Sequence, residues 1–262
     1  MKKTQLMGIL NATPDSFYDG GKYFDFEKAL HHGTKLIQEG ADLLDIGGES
    51  SRPGALPVSL EEEKRRVLPL VEAFSSQIKV SIDTAKPEVA KAAIEKGARF
   101  LNDITGFQNP EMRKVALETD VDLCLMHMQG IPQNMQNSPH YPGGILAEIT
   151  CFFQKQIDLL LQEGIEPKRI ILDPGIGFGK TVEDCLTILR NLRHFQALGF
   201  PLLIGISRKS FLSKIFQKSS EELLSTTLVM NTISLLDGVS ILRVHDVKEH
   251  RQAIDMVTLF KT

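Results

Sequence analysis

Short runs of apolar residues recur along the chain, and each run ends at a polar residue. The residues are apolar in succession rather than alternately, which is typical of parallel strands buried on both faces. We therefore predict eight strands, at residues 6–10, 43–46, 80–82, 100–101, 123–126, 170–172, 202–206 and 241–244.

The segments between these runs have apolar residues at helical spacing. They predict helices within residues 26–37, 68–74, 89–93, 149–160, 186–195, 223–233 and 247–260. A glycine follows most of them and precedes the next strand by a few residues, as expected where a helix ends in the left-handed conformation. These glycines are Gly40, Gly97, Gly164, Gly199 and Gly238.

Alternating strands and helices with longer loops after the strands predict an α/β fold, namely a single-domain (β/α)8 barrel spanning residues 1–262. In that fold the active site lies at the carboxyl ends of the strands. An open, doubly wound sheet is the alternative, but no dinucleotide-type glycine pattern follows the first strand to favour it.

Composition narrows the functional classes. Apolar residues make up 42% of the 262 positions and charged residues 24%, and the net charge is −3. This balance gives no reason to expect nucleic acid or a membrane as a partner. We find neither a signal-peptide core nor an apolar stretch of about 20 residues that could span a bilayer. Three widely separated cysteines without metal-type spacing fit a reducing compartment, so we expect a cytoplasmic protein.

The polar residues at the predicted strand ends fall into two chemical groups. Asp83, Asn102 and Asp173 offer mainly acceptor atoms, which suit a planar heterocycle with several N–H donors, such as a 2-amino-4-oxo pyrimidine ring. Asp173 also opens a loop with three glycines in five positions, where the backbone can approach a ligand closely.

The second group suits phosphate. An arginine fork together with a histidine, Arg243 and His245, favours phosphate oxygens. The side-chain oxygen of Asn11 can ligate Mg²⁺ that a polyphosphate holds. Because an asparagine alone is a weak metal ligand, such a metal would be held largely by the phosphates.

Simpler interpretations apply to several of these residues. Asp45 and Asp103, like Asp15 and Asp246, are typical of helix caps or loop hydrogen bonds. His127, between two methionines, is more typical of a satisfied core histidine than of a ligand-binding one. These interpretations account poorly for the joint pattern, in which nearly every strand ends in a suitable polar group.

The chain resembles the dihydropteroate synthase family along essentially its whole length. The similar motifs lie at residues 8–17, 45–54, 81–84, 102–104, 126–130, 173–180, 207–211 and 243–247. Ser51 stands where threonine is common in the family, and Ala12 and Tyr18 replace the usual valine and serine.

The resemblance implies a transferase of folate biosynthesis that condenses 6-hydroxymethyl-7,8-dihydropterin diphosphate with 4-aminobenzoate, giving 7,8-dihydropteroate and pyrophosphate. It also implies Mg²⁺ as cofactor and a homodimer formed through the last helices. By resemblance, the pterin would be held by Asp83, Asn102, Ile104, Met126, Asp173 and Lys209. The diphosphate and Mg²⁺ would be held by Asn11, Arg243 and His245. The aminobenzoate site would be built from Ser51, Arg52, Pro53, Gly177, Phe178 and Ser210.

Of these, the expected catalytic residues are Lys209, Arg243, His245 and Asp173. An aromatic amine is neutral near pH 7, so we expect electrostatic stabilisation of the leaving pyrophosphate rather than a strong general base. Two other functions share the pterin half of the site. One is a methyltransferase that passes a methyl group from a tetrahydropterin to a corrinoid protein, and the other is a non-catalytic pterin-binding homologue.

Overall fold

The computed structural model describes residues 4–13, 26–51 and 54–261. Its strands are β1 (Gln5–Asn11), β2 (Leu43–Gly47), β3 (Lys79–Asp83), β4 (Phe100–Asp103), β5 (Asp122–Met126), β6 (Ile170–Asp173), β7 (Leu203–Ile204) and β8 (Ile241–Val244). All eight predicted strands are present within one or two residues. Only β7 is clearly shorter than predicted, because Leu202 makes an isolated bridge and the chain leaves the ladder at Gly205.

The strands form one parallel sheet in the order β6-β5-β4-β3-β2-β1-β8-β7. The two edges meet where Leu172 of β6 pairs in parallel with Leu202, and the Leu172 backbone N–H donates to the Pro201 carbonyl at 2.9 Å. The sheet therefore closes into a (β/α)8 barrel, as predicted, and the open-sheet alternative is wrong.

The helices lie between the strands. They are α1 (Phe26–Gln38), α2 (Leu60–Phe74), α3 (Pro87–Glu95), α4 (Pro110–Leu117), α5 (Ile145–Gln162), α6 (Val182–Arg190), α7 (Leu192–Gln196), α8 (Ser210–Phe216), α9 (Leu224–Leu236) and α10 (Val247–Lys261). Among the described ranges, none of these helices is long and apolar enough to cross a membrane.

The sequence pattern missed two helices and merged two others. It contained too little periodic signal for α4 and α8, which are eight and seven residues long. The predicted helix at 186–195 is two helices, because the chain leaves the helical conformation at Asn191, whose φ is −127°. The five glycines predicted to end helices all have positive φ, between 86° and 108°.

The barrel interior has two layers with different chemistry. The layer nearer the amino-terminal ends of the strands is apolar and consists of Met7, Leu43, Phe100, Cys124, Ile171, Leu203 and Ile241. Side chains of a strand alternate between its two faces, so the residue two positions further along also points into the barrel. This rule directs a second set of side chains to the mouth of the barrel.

Candidate active site

The second interior layer is the polar floor of the candidate site. Moving two residues along each strand from the apolar layer gives Ile9, Asp45, Asn102, Met126, Asp173, Gly205 and Arg243. Several of these residues are site candidates from the sequence analysis. They are neighbours because side chains alternate between the two faces of each strand and the strands pair in register. The apolar layer beneath them closes the barrel below the site.

Asp45 lies at the centre of this floor and is fully buried. Its carboxylate accepts hydrogen bonds from Ser81 Oγ at 2.5 Å, Asn102 Nδ2 at 3.1 Å and Arg243 Nε at 2.6 Å. The expectation that Asp45 is a helix cap or loop residue is wrong, because its partners lie on three other strands. For Asp103 the same expectation is confirmed: its carboxylate accepts hydrogen bonds from Thr105 and Phe107 in the loop that follows.

Arg243 joins two carboxylates. Besides Asp45, it binds Asp83, whose Oδ2 lies 2.7 Å from Arg243 Nη2. Burial alone would lower the pKa of Arg243, but the charges of Asp45 and Asp83 outweigh it and raise that pKa above its ordinary value. Burial raises the pKa of Asp83 to about 7, against the opposing attraction of Arg243. The guanidinium is therefore a permanent cation with a fixed orientation.

A narrow pocket opens directly above this floor. Asn102 turns its Nδ2 to Asp45, and its buried Oδ1 finds no donor among residues 4–13, 26–51 and 54–261. Asp173 accepts from the Gly175 backbone N–H at 2.8 Å, and burial raises its pKa. The pocket is lined by Ser51, Asp83, Asn102, Ile104, Met126, Asp173, Ile176, Phe178, Gly205, Lys209 and Arg243.

A wider cavity of ≈ 940 Å³ adjoins the pocket and shares several walls with it. Candidate residues on its lining are Asn11, Ser51, Asp83, Gly177, Phe178, Lys209, Ser210, Arg243 and His245. The Lys209 ammonium lies 3.9 Å from the centre of the Phe178 ring, a cation–π contact. Burial, followed by the charge of Arg243, lowers the pKa of Lys209 to about 8.

His245 is held by Ser207, which the sequence analysis did not assign to the site. The His245 backbone N–H donates to Ser207 Oγ at 3.2 Å, and the same oxygen lies 3.0 Å from the ring Nδ1. This fixes the ring at the rim of the cavity.

The metal expected from the sequence can be tested against the donor set. Within the part of the chain that the structure describes, no group of three His, Cys, Asp or Glu side chains could hold an ion. Asn11 supplies one neutral oxygen on the cavity wall. This set fits Mg²⁺ only where phosphate oxygens provide most of the ligands.

The fold thus brings every described candidate residue into the two connected spaces. Arg52 and Pro53, two of the candidates for the aminobenzoate site, lie outside the described residues. His127 is the satisfied core histidine that its position suggested: it is buried, and its Nδ1 lies 3.0 Å from Lys180 Nζ. Lys180 itself was not singled out, because nothing in its position predicts burial of a lysine.

Comparison with known proteins agrees with the sequence resemblance. The family model described as pterin binding enzyme matches residues 7–245. The dihydropteroate synthase of Synechocystis sp. is 46% identical over 255 residues, which are 96% of this chain and 88% of that protein.

Solved structures agree as well. The dihydropteroate synthase of Yersinia pestis, in complex with a sulfonamide drug, superposes with a TM-score of 0.94 at 40% identity, covering 99% of this chain and 94% of that one. The Xanthomonas albilineans enzyme, solved with 4-aminobenzoic acid, gives a TM-score of 0.93 at 38% identity with the same coverage.

Proposed function

This chain belongs to the pterin binding enzyme family and, within it, to the dihydropteroate synthases, and on that premise we propose how its site works. The reaction joins 6-hydroxymethyl-7,8-dihydropterin diphosphate to 4-aminobenzoate and releases pyrophosphate, so the chain is a transferase. Relatives that carry this name along nearly the whole chain favour it over the methyltransferase and over a non-catalytic homologue.

One observation supports the assignment of the substrates to the two spaces. Acceptor groups of Asp83, Asn102 and Asp173 converge in the narrow pocket. Two cations, Lys209 and Arg243, line both this pocket and the wider cavity. The pterin ring occupies the pocket in our proposal, with Ile104 and Met126 against its faces. Its N–H edge then supplies the donor that Asn102 Oδ1 otherwise lacks.

The diphosphate extends from the pocket into the cavity. Arg243, fixed by Asp45 and Asp83, together with His245, fixed by Ser207, binds the oxygens on which negative charge develops. The C–O bond to pyrophosphate breaks with its electron pair on the leaving oxygen, and the amine nitrogen forms the new C–N bond and loses a proton to solvent. The electron-rich pterin stabilises positive charge at its methylene carbon, so we propose a dissociative, cation-like transition state without a covalent enzyme intermediate.

The aminobenzoate ring lies against Phe178 and Lys209 at the cavity wall, near Ser51 and Ser210. The ammonium of Lys209 sits beside both substrates and contributes positive charge there. Arg52 and Pro53 remain proposed members of this site.

Mg²⁺ is the proposed cofactor, held by the diphosphate with Asn11 as one protein ligand. When bound, it neutralises charge on the leaving group.

A homodimer and a cytoplasmic location complete the proposal. Helices α9 and α10 carry several exposed apolar side chains, namely Val229, Ile233, Leu236, Met256 and Phe260. Burial of these side chains against a second copy would remove apolar surface from water. The free thiols Cys124, Cys151 and Cys185 suit a reducing compartment.

Product identification tests the function. The purified chain, given both substrates and Mg²⁺, should yield dihydropteroate by mass spectrometry, and Arg243→Ala should abolish the product. Pterin binding without any product from the unsubstituted chain would instead indicate a binding protein.

A further inference from the structure

Side chains hold the loop that follows β6 by donating hydrogen bonds to its backbone carbonyl groups. Three successive carbonyl oxygens accept hydrogen bonds from side chains: Gly177 O from Gln136 Nε2 at 2.6 Å, Phe178 O from Lys180 Nζ at 2.9 Å and Gly179 O from Tyr141 OH at 2.7 Å. Here side chains fix the peptide on both sides of Phe178.

Lys180 is the buried member of this set. Only 2% of it is exposed, and its ammonium has three neutral partners: Phe178 O, His127 O at 3.2 Å and His127 Nδ1 at 3.0 Å. Burial lowers the pKa of Lys180 to about 7, and below that pH each of its three N–H donors has an acceptor. Burial, with the charge of Lys180 next, lowers the pKa of His127 to about 2, so the ring stays neutral and Nδ1 can accept.

The loop after β6 packs so closely against the residues that follow β5 that two of its glycines have no space for a side chain. A Cβ placed on Gly175 would lie 1.9 Å from the His127 carbonyl oxygen, and one on Gly179 would lie 2.4 Å from that of Gln129. Both glycines have positive φ, which side-chain-bearing residues rarely adopt. Lys180 therefore links two backbone segments that pack closely: the loop after β6 and the residues that follow β5.

The ring of Phe178 belongs to the residue whose carbonyl Lys180 holds. It lines both the narrow pocket and the wider cavity, and the Lys209 ammonium lies over its face. A shift of the Phe178 peptide would move the ring relative to both spaces. Lys180 is not among the described residues that line either space, and its hydrogen bond to the Phe178 carbonyl links it to the ring that does.

We propose that Lys180 is a positioning residue for the aromatic amine substrate: by holding the Phe178 carbonyl, it fixes the ring against which that substrate packs. The proposal rests on the function proposed above. The two substrates should respond to different extents, because Asp83, Asn102 and Asp173 also hold the pterin, whereas Phe178 is only one wall of its pocket.

Steady-state kinetics of Lys180→Met test this. Measured below pH 7, where Lys180 is charged, the loss of its hydrogen bonds predicts a KM for 4-aminobenzoate raised about tenfold or more. The Kd for the pterin diphosphate should rise by a smaller factor, because Phe178 is only one wall of that pocket. Lys168→Met removes an exposed lysine just before β6, at the end of that strand opposite the loop, and should leave both constants unchanged. A general loss of structure would instead weaken the binding of both substrates to the same extent.

Tyr141→Phe and Gln136→Leu keep the test decisive if Lys180→Met does not fold. Each removes one hydrogen bond to the same loop, and each should raise the KM for aminobenzoate by a few fold, again with a smaller effect on pterin binding. An unchanged KM in both variants would overturn the proposal.

Loop position has a direct optical readout, because the chain contains no tryptophan. Phe178→Trp provides the chain with one tryptophan, which can be excited selectively over its three tyrosines. Adding Lys180→Met should shift the tryptophan emission to longer wavelength as the ring moves toward water. Identical emission together with an unchanged aminobenzoate KM would refute a positioning role. If the unsubstituted chain forms no dihydropteroate, the proposed function fails, whereas an active enzyme with wild-type constants in Lys180→Met refutes only this inference.

Discussion

Arg243 Nε lies 2.6 Å from Oδ2 of Asp45, an aspartate with no solvent exposure. A buried carboxylate is costly without a partner, and a buried arginine is equally so. The pair therefore fixes the guanidinium at the floor of the barrel while leaving other N–H groups for a ligand. Asp83, the second carboxylate on the same guanidinium, makes this orientation more rigid.

Removal of Arg243 should cost stability as well as activity. Arg243→Met leaves Asp45 buried and unpaired, and we expect the free energy of unfolding in urea to fall by about 3–5 kcal/mol. Arg208→Met breaks a partly exposed pair with Asp246 and should cost less than about 1 kcal/mol.

A second substitution checks the cause of that loss. Asp45→Asn added to Arg243→Met removes the unpaired charge, so the double variant should be more stable than Arg243→Met alone. Equal stability of the two variants would show that the ion pair is not what Arg243 contributes.

Asn102 should contribute to affinity for the pterin through Oδ1, besides donating to the buried Asp45 through Nδ2. Its Oδ1 has no donor within the described ranges, so we expect Asn102→Ala to weaken binding of the pterin diphosphate by about tenfold or more. Isothermal titration measures this, with the exposed Asn137→Ala as the control. Wild-type affinity in Asn102→Ala would remove the residue from the pterin site.

The buried His127 predicts a dependence of stability on pH. The folded chain keeps this ring neutral down to about pH 2, whereas the unfolded chain protonates it near its ordinary pKa of 6.5. Between these values the unfolded state binds more protons, so stability falls as pH falls.

The test is to measure the free energy of unfolding at several pH values between 4.5 and 6 and to compare the slopes against pH. The slope for the wild type should exceed that for His127→Gln by up to about 1.4 kcal/mol per pH unit. Carboxylates contribute equally to both proteins, so the difference between the two slopes isolates His127. Parallel curves for wild type and His127→Gln would contradict a neutral, buried ring.

The donor set of the cavity predicts that Mg²⁺ binds with the diphosphate and not before it. Calorimetric titration of Mg²⁺ into the free protein should give no saturable heat, whereas titration in the presence of pyrophosphate should, and Asn11→Leu should weaken that binding. Saturable binding to the free protein would indicate a metal site built by side chains alone.

Strand alternation explains why so much of the site was predictable. The polar residues sit two positions beyond apolar ones in short buried strands, so their convergence at the barrel mouth follows from the period of two. Asp45 was misjudged because a carboxylate inside an apolar strand looks like any polar strand end until its partners on other strands are known.

Lys180 was missed for a different reason. Its burial depends on the approach of the loop to the end of β5, which is a tertiary contact without a periodic signal. The short helices α4 and α8 escaped prediction because seven or eight residues contain barely two helical turns.

Pyrophosphate release tests the central claim most directly. We would measure its initial rate with dihydropterin diphosphate and Mg²⁺, with and without 4-aminobenzoate, for the wild type and Arg243→Lys. The account predicts release that requires both aminobenzoate and Mg²⁺ and that collapses in Arg243→Lys, since lysine cannot bridge two carboxylates and phosphate in the same way. Undiminished release in Arg243→Lys, or tight pterin binding by the wild type with no release under any condition, would contradict it.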